Sequence, residues 1–233
     1  MELIILAGGL GTRLSSVLPN TPKALAPIGP SQDPFLKFQI DNWISQGVSS
    51  FIFLLGHQSS QIIDFLDLEK DRHAKTIIFK YVVENELLGT GGSIKNAIEK
   101  LNLSGDLYIT NADTWLSSGF NKIKYAEVPA IAVVYIDDTA RFGRVHFSDN
   151  FLVTSFQEKI DFSEPGYINA GLFKLNAKDF KEVNLTNFSV EQEILSKFAE
   201  NQSLNALLLD TYFIDIGIPK DYIKFSGSEH KKR

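Results

Sequence analysis

Leu3-Ile4-Ile5-Leu6 runs directly into Ala7-Gly8-Gly9-Leu10-Gly11-Thr12-Arg13-Leu14, and this junction constrains the chain more than any other stretch. Four consecutive apolar residues that end on glycines read as a strand buried on both faces. Glycines in the turn after it let the backbone approach a ligand and aim its N–H groups at an anion. Arg13, and Lys23 after Pro22, add fixed and mobile positive charge for phosphate oxygens. The glycines alone fit an ordinary strand-to-helix turn equally well; Thr12-Arg13 and Pro22-Lys23 tip the reading toward a phosphate cradle. Two other glycine motifs fail here. A dinucleotide fingerprint needs a third glycine where Leu14 stands, and a P-loop needs a Gly-Lys pair that the chain does not contain.

Short apolar runs alternate with helical periods through the first half. Strands are expected over 51–55, 77–83 and 107–109. Helices are expected from Asp33-Pro34, read as a cap and first helical residue, to a stop at Gly47, and over 58–66 and 93–101. The second half is richer in strands, at 130–136, 142–147, 152–156, 168–175 and 204–209. Helices are expected over 189–199, where Ser189 and Gln192 have capping-box spacing, and from Pro219. The alternation predicts an α/β fold: a Rossmann-like mixed, mostly parallel sheet with helices on both faces. One domain is expected over 1–226, with 227–233 as a frayed tail.

Composition removes whole classes of chemistry. A 233-residue chain that is 44% hydrophobic and 22% charged is neither disordered nor fibrous. It has no cysteine, which excludes disulfide scaffolds, Cys-ligated zinc, iron–sulfur clusters and thiol catalysis. Its four histidines, His57, His73, His146 and His230, are scattered, and a net charge of −5 argues against a nucleic-acid partner. The first residues lack the basic segment and long apolar stretch of an export signal, and the longest apolar run, Ala130–Ile136, is too short to span a membrane. A cytoplasmic protein with no membrane partner is expected.

Three further segments carry candidate chemistry. Gly89-Thr90-Gly91-Gly92-Ser93 lies between a strand and a helix; it is either the floor of a base and sugar site or a helix-initiating loop with Ser93 as cap. Asn111-Ala112-Asp113 follows the strand at 107–109, at the carboxyl end where open parallel sheets bind ligands. Asp113 there is either a turn residue or a Mg²⁺ ligand, an ion that prefers one or two carboxylates plus substrate phosphates. Asp215, in Asp215-Ile216-Gly217-Ile218-Pro219, is a second acid or a cap for the last helix.

Taken in order, these segments resemble the sugar-1-phosphate nucleotidylyltransferases, whose signature is similar to the loop 8–14 followed by Pro22-Lys23. Gly89-Thr90, Asn111-Ala112-Asp113, Glu158-Lys159, Asn169-Ala170-Gly171 and Asp215-Ile216-Gly217 stand in the family's order, so the resemblance spans 2 to about 222. Within it, the short chain and the segments 22–28, 89–92 and 215–219 look most like heptose-1-phosphate guanylyltransferases. Ala112 replaces a usual Gly, and Leu87 a common Pro.

The resemblance implies the nucleotide-diphospho-sugar transferase fold and a reaction of NTP with a sugar 1-phosphate to give NDP-sugar and pyrophosphate. It implies catalytic roles for Arg13 and Lys23, and nucleotide binding by Leu6, Ala7, Gly8, Gly9, Gly11, Thr12, Glu84, Gly89, Thr90 and Asn111. Gly143, Glu158, Lys159 and Asn169 would bind the sugar phosphate, and Asp113 and Asp215 would bind Mg²⁺. Either Glu84 or Glu86 can approach the base edge by position. One carboxylate accepts guanine N1–H and N2–H together, whereas uracil and thymine present one N–H between two carbonyls, which favours GTP. The expected substrate is D-glycero-D-manno-heptose 1-phosphate; the alternatives are a mannose or glucose 1-phosphate enzyme using GTP, dTTP or UTP, or a non-catalytic regulator. A dead relative is expected to lack some of Arg13, Lys23, Asp113, Lys159 and Asp215, and all five are present. The resemblance allows a homodimer, which no residue decides.

Overall fold

The computed structural model describes residues 1–73, 76–157 and 164–227. In chain order the elements are β1 (Glu2–Ala7), β2 (Pro27–Ile28), β3 (Asp33–Pro34), α1 (Phe35–Ser45), β4 (Ser50–Leu55), α2 (Ser59–Arg72) and β5 (Ile78–Val83). Next come α3 (Gly89–Leu101), β6 (Asp106–Asn111), β7 (Thr114–Leu116), α4 (Phe120–Ile123), β8 (Ala130–Ile136), β9 (Arg144–Phe147), β10 (Val153–Gln157) and β11 (Gly166–Asn176). The chain closes with α5 (Ala177–Lys181), a π-helical turn (Glu191–Leu195) continuing into α6 (Ser196–Glu200), β12 (Asn205–Leu208), β13 (Phe213–Asp215) and α7 (Pro219–Gly227). They fall into two compact units: Met1–Leu87 with Thr110–Ser117 and the chain from Tyr212, and Leu88–Ile109 with Ser118–Thr211.

In the first unit the strands run in the order β6-β1-β4-β5, β6 entering through Thr110 and Asn111. β1 pairs with β4, and β4 with β5, both in parallel. Every residue of β4 is buried, which is why Phe51–Leu55 reads as an unbroken apolar run rather than an alternation. Phe51 stacks on Phe79 with ring centroids 5.6 Å apart. α1 buries Phe35, Leu36, Gln39, Ile40 and Trp43, the stripe that a period of 3.6 places on one face. Each fully buried apolar side chain of this size contributes roughly 1.5–3 kcal/mol.

In the second unit the order is β12-β8-β11-β6, β6 entering through its first four residues. β8 pairs antiparallel with β11 and parallel with β12. The expected mixed, mostly parallel sheet with helices is the architecture observed.

Three local expectations are corrected. Asp33 does not cap α1: it lies in β3, its carboxylate accepts from Lys37 Nζ at 2.7 Å, and the Phe35 N–H goes to the Ala26 carbonyl at 2.9 Å. Gly89–Ser93 is not a loop before a helix but the first turn of α3, and Ser93 is buried within it. Gly227, expected in the frayed tail, is the last residue of α7; the rest of that tail lies outside the described residues.

Candidate active site

Behind the glycine loop the chain does not enter a helix. It closes in turns, with Leu14 N–H on the Gly11 carbonyl at 3.0 Å and Leu18 N–H on the Leu14 carbonyl at 3.0 Å. Leu14, 1% exposed, drops into a core of Ile28, Phe35, Trp115, Ile214, Ile216 and Phe225, and this leaves Thr12 and Arg13 exposed. Arg13 makes no hydrogen bond or ion pair among the described residues. The three glycines have different causes. A Cβ on Gly8 would stand 2.7 Å from Glu84 Oε1, Gly11 has a φ of +67°, and Gly9 faces open space. Leu6 and Ala7 end β1, the Leu6 carbonyl accepting from Ala112 N–H at 3.0 Å.

Lys23 follows Pro22 in a single 3₁₀ turn, and its stem crosses Gly11: a Cβ there would lie 3.3 Å from Lys23 Cγ. Its ammonium reaches Asp113 Oδ2 at 3.4 Å. It also reaches the neighbourhood of Asp215: one point, the Cβ position of Gly217, is 2.6 Å from Asp215 Oδ1 and 3.5 Å from Lys23 Nζ. The side chains of Lys23 and Asp113 are 18% and 31% exposed.

A strand ladder brings the two acids together. β13 runs antiparallel to β7 and sets Asp215 opposite Thr114, next to Asp113, while Ile216 N–H donates to the Asp113 carbonyl at 3.0 Å. Ile214 and Ile216 are buried, so strand alternation turns Asp215 to the other side. Its Oδ1 accepts from Gly217 N–H at 2.6 Å, a turn at the strand's end rather than the cap of α7. Gln39, only 1% exposed, sends Nε2 from α1 to the Asn111 carbonyl at 3.1 Å and also to the Thr114 carbonyl, pinning both sides of the Asp113 turn. The helical stripe marks Gln39 as inward-facing, but nothing in the sequence says which carbonyls it meets.

Glu84 and Glu86 separate. Glu84 follows β5, with its N–H on the Leu55 carbonyl at 2.9 Å and Oε1 against Gly8 and Gly56. Glu86 is exposed.

Of the remaining expected residues, Gly89, Thr90, Gly143 and Asn169 lie in the second unit. The Gly89 region is shaped by packing. Cβ atoms on Gly91 and Gly92 would stand 2.2 Å from the Phe188 ring and the Thr186 carbonyl oxygen, and the Phe188 carbonyl accepts from Gly91 N–H at 2.9 Å. The Thr90 hydroxyl donates to Glu191 Oε2 at 2.9 Å and accepts from Val190 N–H at 2.9 Å. The same carboxylate oxygen takes the Ser189 hydroxyl at 2.6 Å, and Ser189 Oγ accepts from Gln192 N–H at 3.3 Å, half of the expected capping box. Gly89, Thr90, Phe188, Ser189, Glu191 and Gln192 are among the residues that line a cavity of about 440 Å³. Gly143 is buried with φ +72°. Asn169 precedes an irregularity in β11, its Oδ1 accepting from Gly171 N–H at 2.9 Å. Glu158 and Lys159 lie outside the described residues.

Among the described residues one group of three carboxylate and imidazole side chains clusters as a metal site would, Asp41, Glu69 and His73. Arg72 fills it, its Nη2 2.6 Å from Asp41 Oδ1 and also against Glu69. Burial opposes the Arg72 charge, but the hydrogen bonds it donates to Glu69 and Asp41, with their negative charges, prevail and raise its pKa above the ordinary value.

The profile of a family described as Nucleotidyl transferase matches residues 2–232. The chain belongs to the nucleotidyl transferase family. This nucleotidyl transferase is 35% identical to the D-glycero-alpha-D-manno-heptose 1-phosphate guanylyltransferase of Campylobacter jejuni, over 97% of its own chain and 98% of the relative's. It is also 35% identical to the enzyme of that name from Aneurinibacillus thermoaerophilus, with 96% of each covered. The crystal structure of HddC from Yersinia pseudotuberculosis superposes with a TM-score of 0.81, at 35% identity and 97% coverage of both chains. HddC complexed with GMP-PN gives the same TM-score at 33% identity. Among the described residues of this nucleotidyl transferase, no helix is long and apolar enough to cross a membrane.

Proposed function

We propose that this chain is a sugar-1-phosphate guanylyltransferase, converting GTP and D-glycero-D-manno-heptose 1-phosphate to GDP-heptose and pyrophosphate in the cytoplasm. The observation that carries the reading is Lys23, laid across Gly11 of the glycine loop with its ammonium at Asp113 and beside Asp215. The named relatives are alike over nearly their full length and support the choice of base and sugar.

In the proposed reaction a phosphate oxygen of the sugar 1-phosphate attacks the α-phosphorus of GTP in line. The new P–O bond forms as the bond to the bridging oxygen of pyrophosphate breaks. The attacking oxygen is already an anion, so no base has to remove a proton. Catalysis then rests on positioning and on charge placed where it develops. The backbone of Leu6–Thr12 cradles the phosphates, with Asn111 beside it. Arg13, exposed and without a partner among the described residues, meets the leaving pyrophosphate, and Lys23 the transferring phosphate. Asp113 and Asp215 are hard oxygen donors of the kind Mg²⁺ takes, and they would hold it. When bound, that ion neutralises phosphate charge.

Glu84 accepts the guanine N1–H and N2–H, and Gly89 and Thr90 border the nucleoside. Gly143, Asn169, Glu158 and Lys159 take the sugar phosphate. The assembly proposed is a homodimer, which light scattering reads as twice 26.0 kDa.

The direct test mixes the protein with Mg²⁺, each of GTP, UTP, CTP and dTTP, and a panel of heptose and hexose 1-phosphates, and follows pyrophosphate. Release with GTP and the heptose phosphate supports the reading. Release only with a hexose phosphate, or only with a pyrimidine nucleotide, replaces the substrate, and no release with any pair removes the activity.

A further inference from the structure

Lys23 does more in this geometry than wait for a phosphate. Its ammonium touches Asp113 and lies within 3.5 Å of the same point that Asp215 Oδ1 approaches to 2.6 Å. It therefore occupies the approach to both acids, where a divalent ion would be held. Three features fix it there. Gly11 has no Cβ and lets the stem pass, its Cγ 3.3 Å from the place a Cβ would take, the 3₁₀ turn sets its root, and the β7–β13 ladder sets the acids. Two carboxylates held in one neighbourhood repel each other, and a tethered cation on Asp113 with Asp215 nearby relieves that repulsion without any ion from solution.

We propose that Lys23 is a built-in counter-ion that competes with the divalent cation for Asp113 and Asp215, and so couples metal binding to nucleotide binding. The proposal rests on the transferase reading for the identity of the nucleotide, but its first consequence concerns the protein without nucleotide. There the ammonium holds the acids, and a free divalent ion binds poorly because it has to displace a charge that cannot leave. An incoming triphosphate offers Lys23 a stronger anion a short distance away. The ammonium moves to the phosphates, the acids are released, and the metal site forms only when the nucleotide is present. Such a device favours a nucleotide–metal complex as the binding species over a metal-loaded empty protein. Coupling between two sites is reciprocal, so the same exchange tightens nucleotide binding when metal is present.

The test is Mn²⁺ binding to the nucleotide-free protein, read from the free-ion electron paramagnetic resonance signal. Lys23→Met keeps most of the stem and removes the charge. It is expected to bind Mn²⁺ about tenfold more tightly than the parent, within the roughly 5- to 150-fold range of couplings between sites. Lys23→Arg keeps the charge and is expected to stay as weak as the parent. Adding Asp113→Asn to Lys23→Met is expected to abolish the gain. The proposal is overturned if Lys23→Met binds no more tightly than the parent, if Lys23→Arg binds as tightly as Lys23→Met, or if the gain survives loss of Asp113. Lys23→Gln repeats the first comparison should the Met variant fail to fold, as judged by its melting curve. The guanylyltransferase reading fails separately, by absence of pyrophosphate release in the parent, and leaves the Mn²⁺ series readable.

Discussion

The side chain of Lys23 lies on the open face of Gly11, with Cγ, Cε and Cδ at 3.3, 3.6 and 4.0 Å from the place a Cβ would take. Gly11 also sits at φ +67°, where an L side chain costs roughly 1–2 kcal/mol. Gly11→Ala is therefore expected to lower stability by about that amount and to push Lys23 off its line to Asp113. A melting curve reads the first effect. A loss of turnover larger than the loss of folded protein reads the second, and equal losses would reduce Gly11 to a turn residue.

Gln39 holds the turn of Asp113 from below. Gln39→Leu leaves the Asn111 and Thr114 carbonyls without that donor in a buried setting, at about 1–3 kcal/mol. Because Gln39 touches no proposed substrate, the expected signature is a fall in kcat with folding otherwise cooperative. An unchanged kcat in the folded fraction would show that Asp113 holds its position without Gln39.

Base choice puts Glu84 against Glu86. Glu84→Gln replaces the twofold acceptor by a group that offers one acceptor and one donor. The preference for GTP over UTP is expected to shrink about 10- to 100-fold, the worth of one hydrogen bond to a charged group. Glu86→Gln, on an exposed position, is expected to leave the ratio unchanged. Competition assays with paired nucleotides decide between them, and a reversed outcome would move the base to the other acid.

Tyr222 joins the last helix to the segment after Lys23, its hydroxyl donating to the Pro27 carbonyl at 2.7 Å. Burial raises its pKa above the ordinary 10.0. The folded protein thus favours the neutral phenol, and that contribution is intact below about pH 10 and is lost as pH rises through the raised value. Tyr222→Phe is expected to cost about 0.5–1.5 kcal/mol at pH 8. The gap to the parent should narrow in melts taken from pH 9 to 11, and a gap that widens contradicts the assignment.

Much of the first unit was legible in the chain because its signals are local. A buried strand ending in glycine needs no partner to be recognised, and Leu36, Ile40 and Trp43 announce α1 by spacing alone. Boundaries failed where tertiary contacts outrank local chemistry. Asp33 has a capping side chain, but the Ala26 carbonyl reaches the Phe35 N–H first. The glycines at 89, 91 and 92 suggested a ligand floor, while the nearest atoms to 91 and 92 belong to Phe188 and Thr186. The association of Lys23 with Asp113 and Asp215 was expected from the family resemblance; from the residues alone Asp113 was equally a turn, and Asp215 had a cap of the last helix as its alternative. Two- and three-residue ladders such as β7 with β13 carry too few side chains to show a period, and this ladder is what unites the acids.

The pairing of β7 with β13 has a consequence for synthesis. The glycine loop is translated within the first dozen or so codons, but Asp215, the second acid of the proposed ion site, arrives some two hundred residues later. Until Phe213–Asp215 emerges and zips against Thr114–Leu116, a nascent chain carries the lysine and one acid only. On the proposed function, a ribosome-tethered intermediate stalled before Phe213 is expected to be inert however well its opening strands had settled, with chemical competence switching on in a single late step.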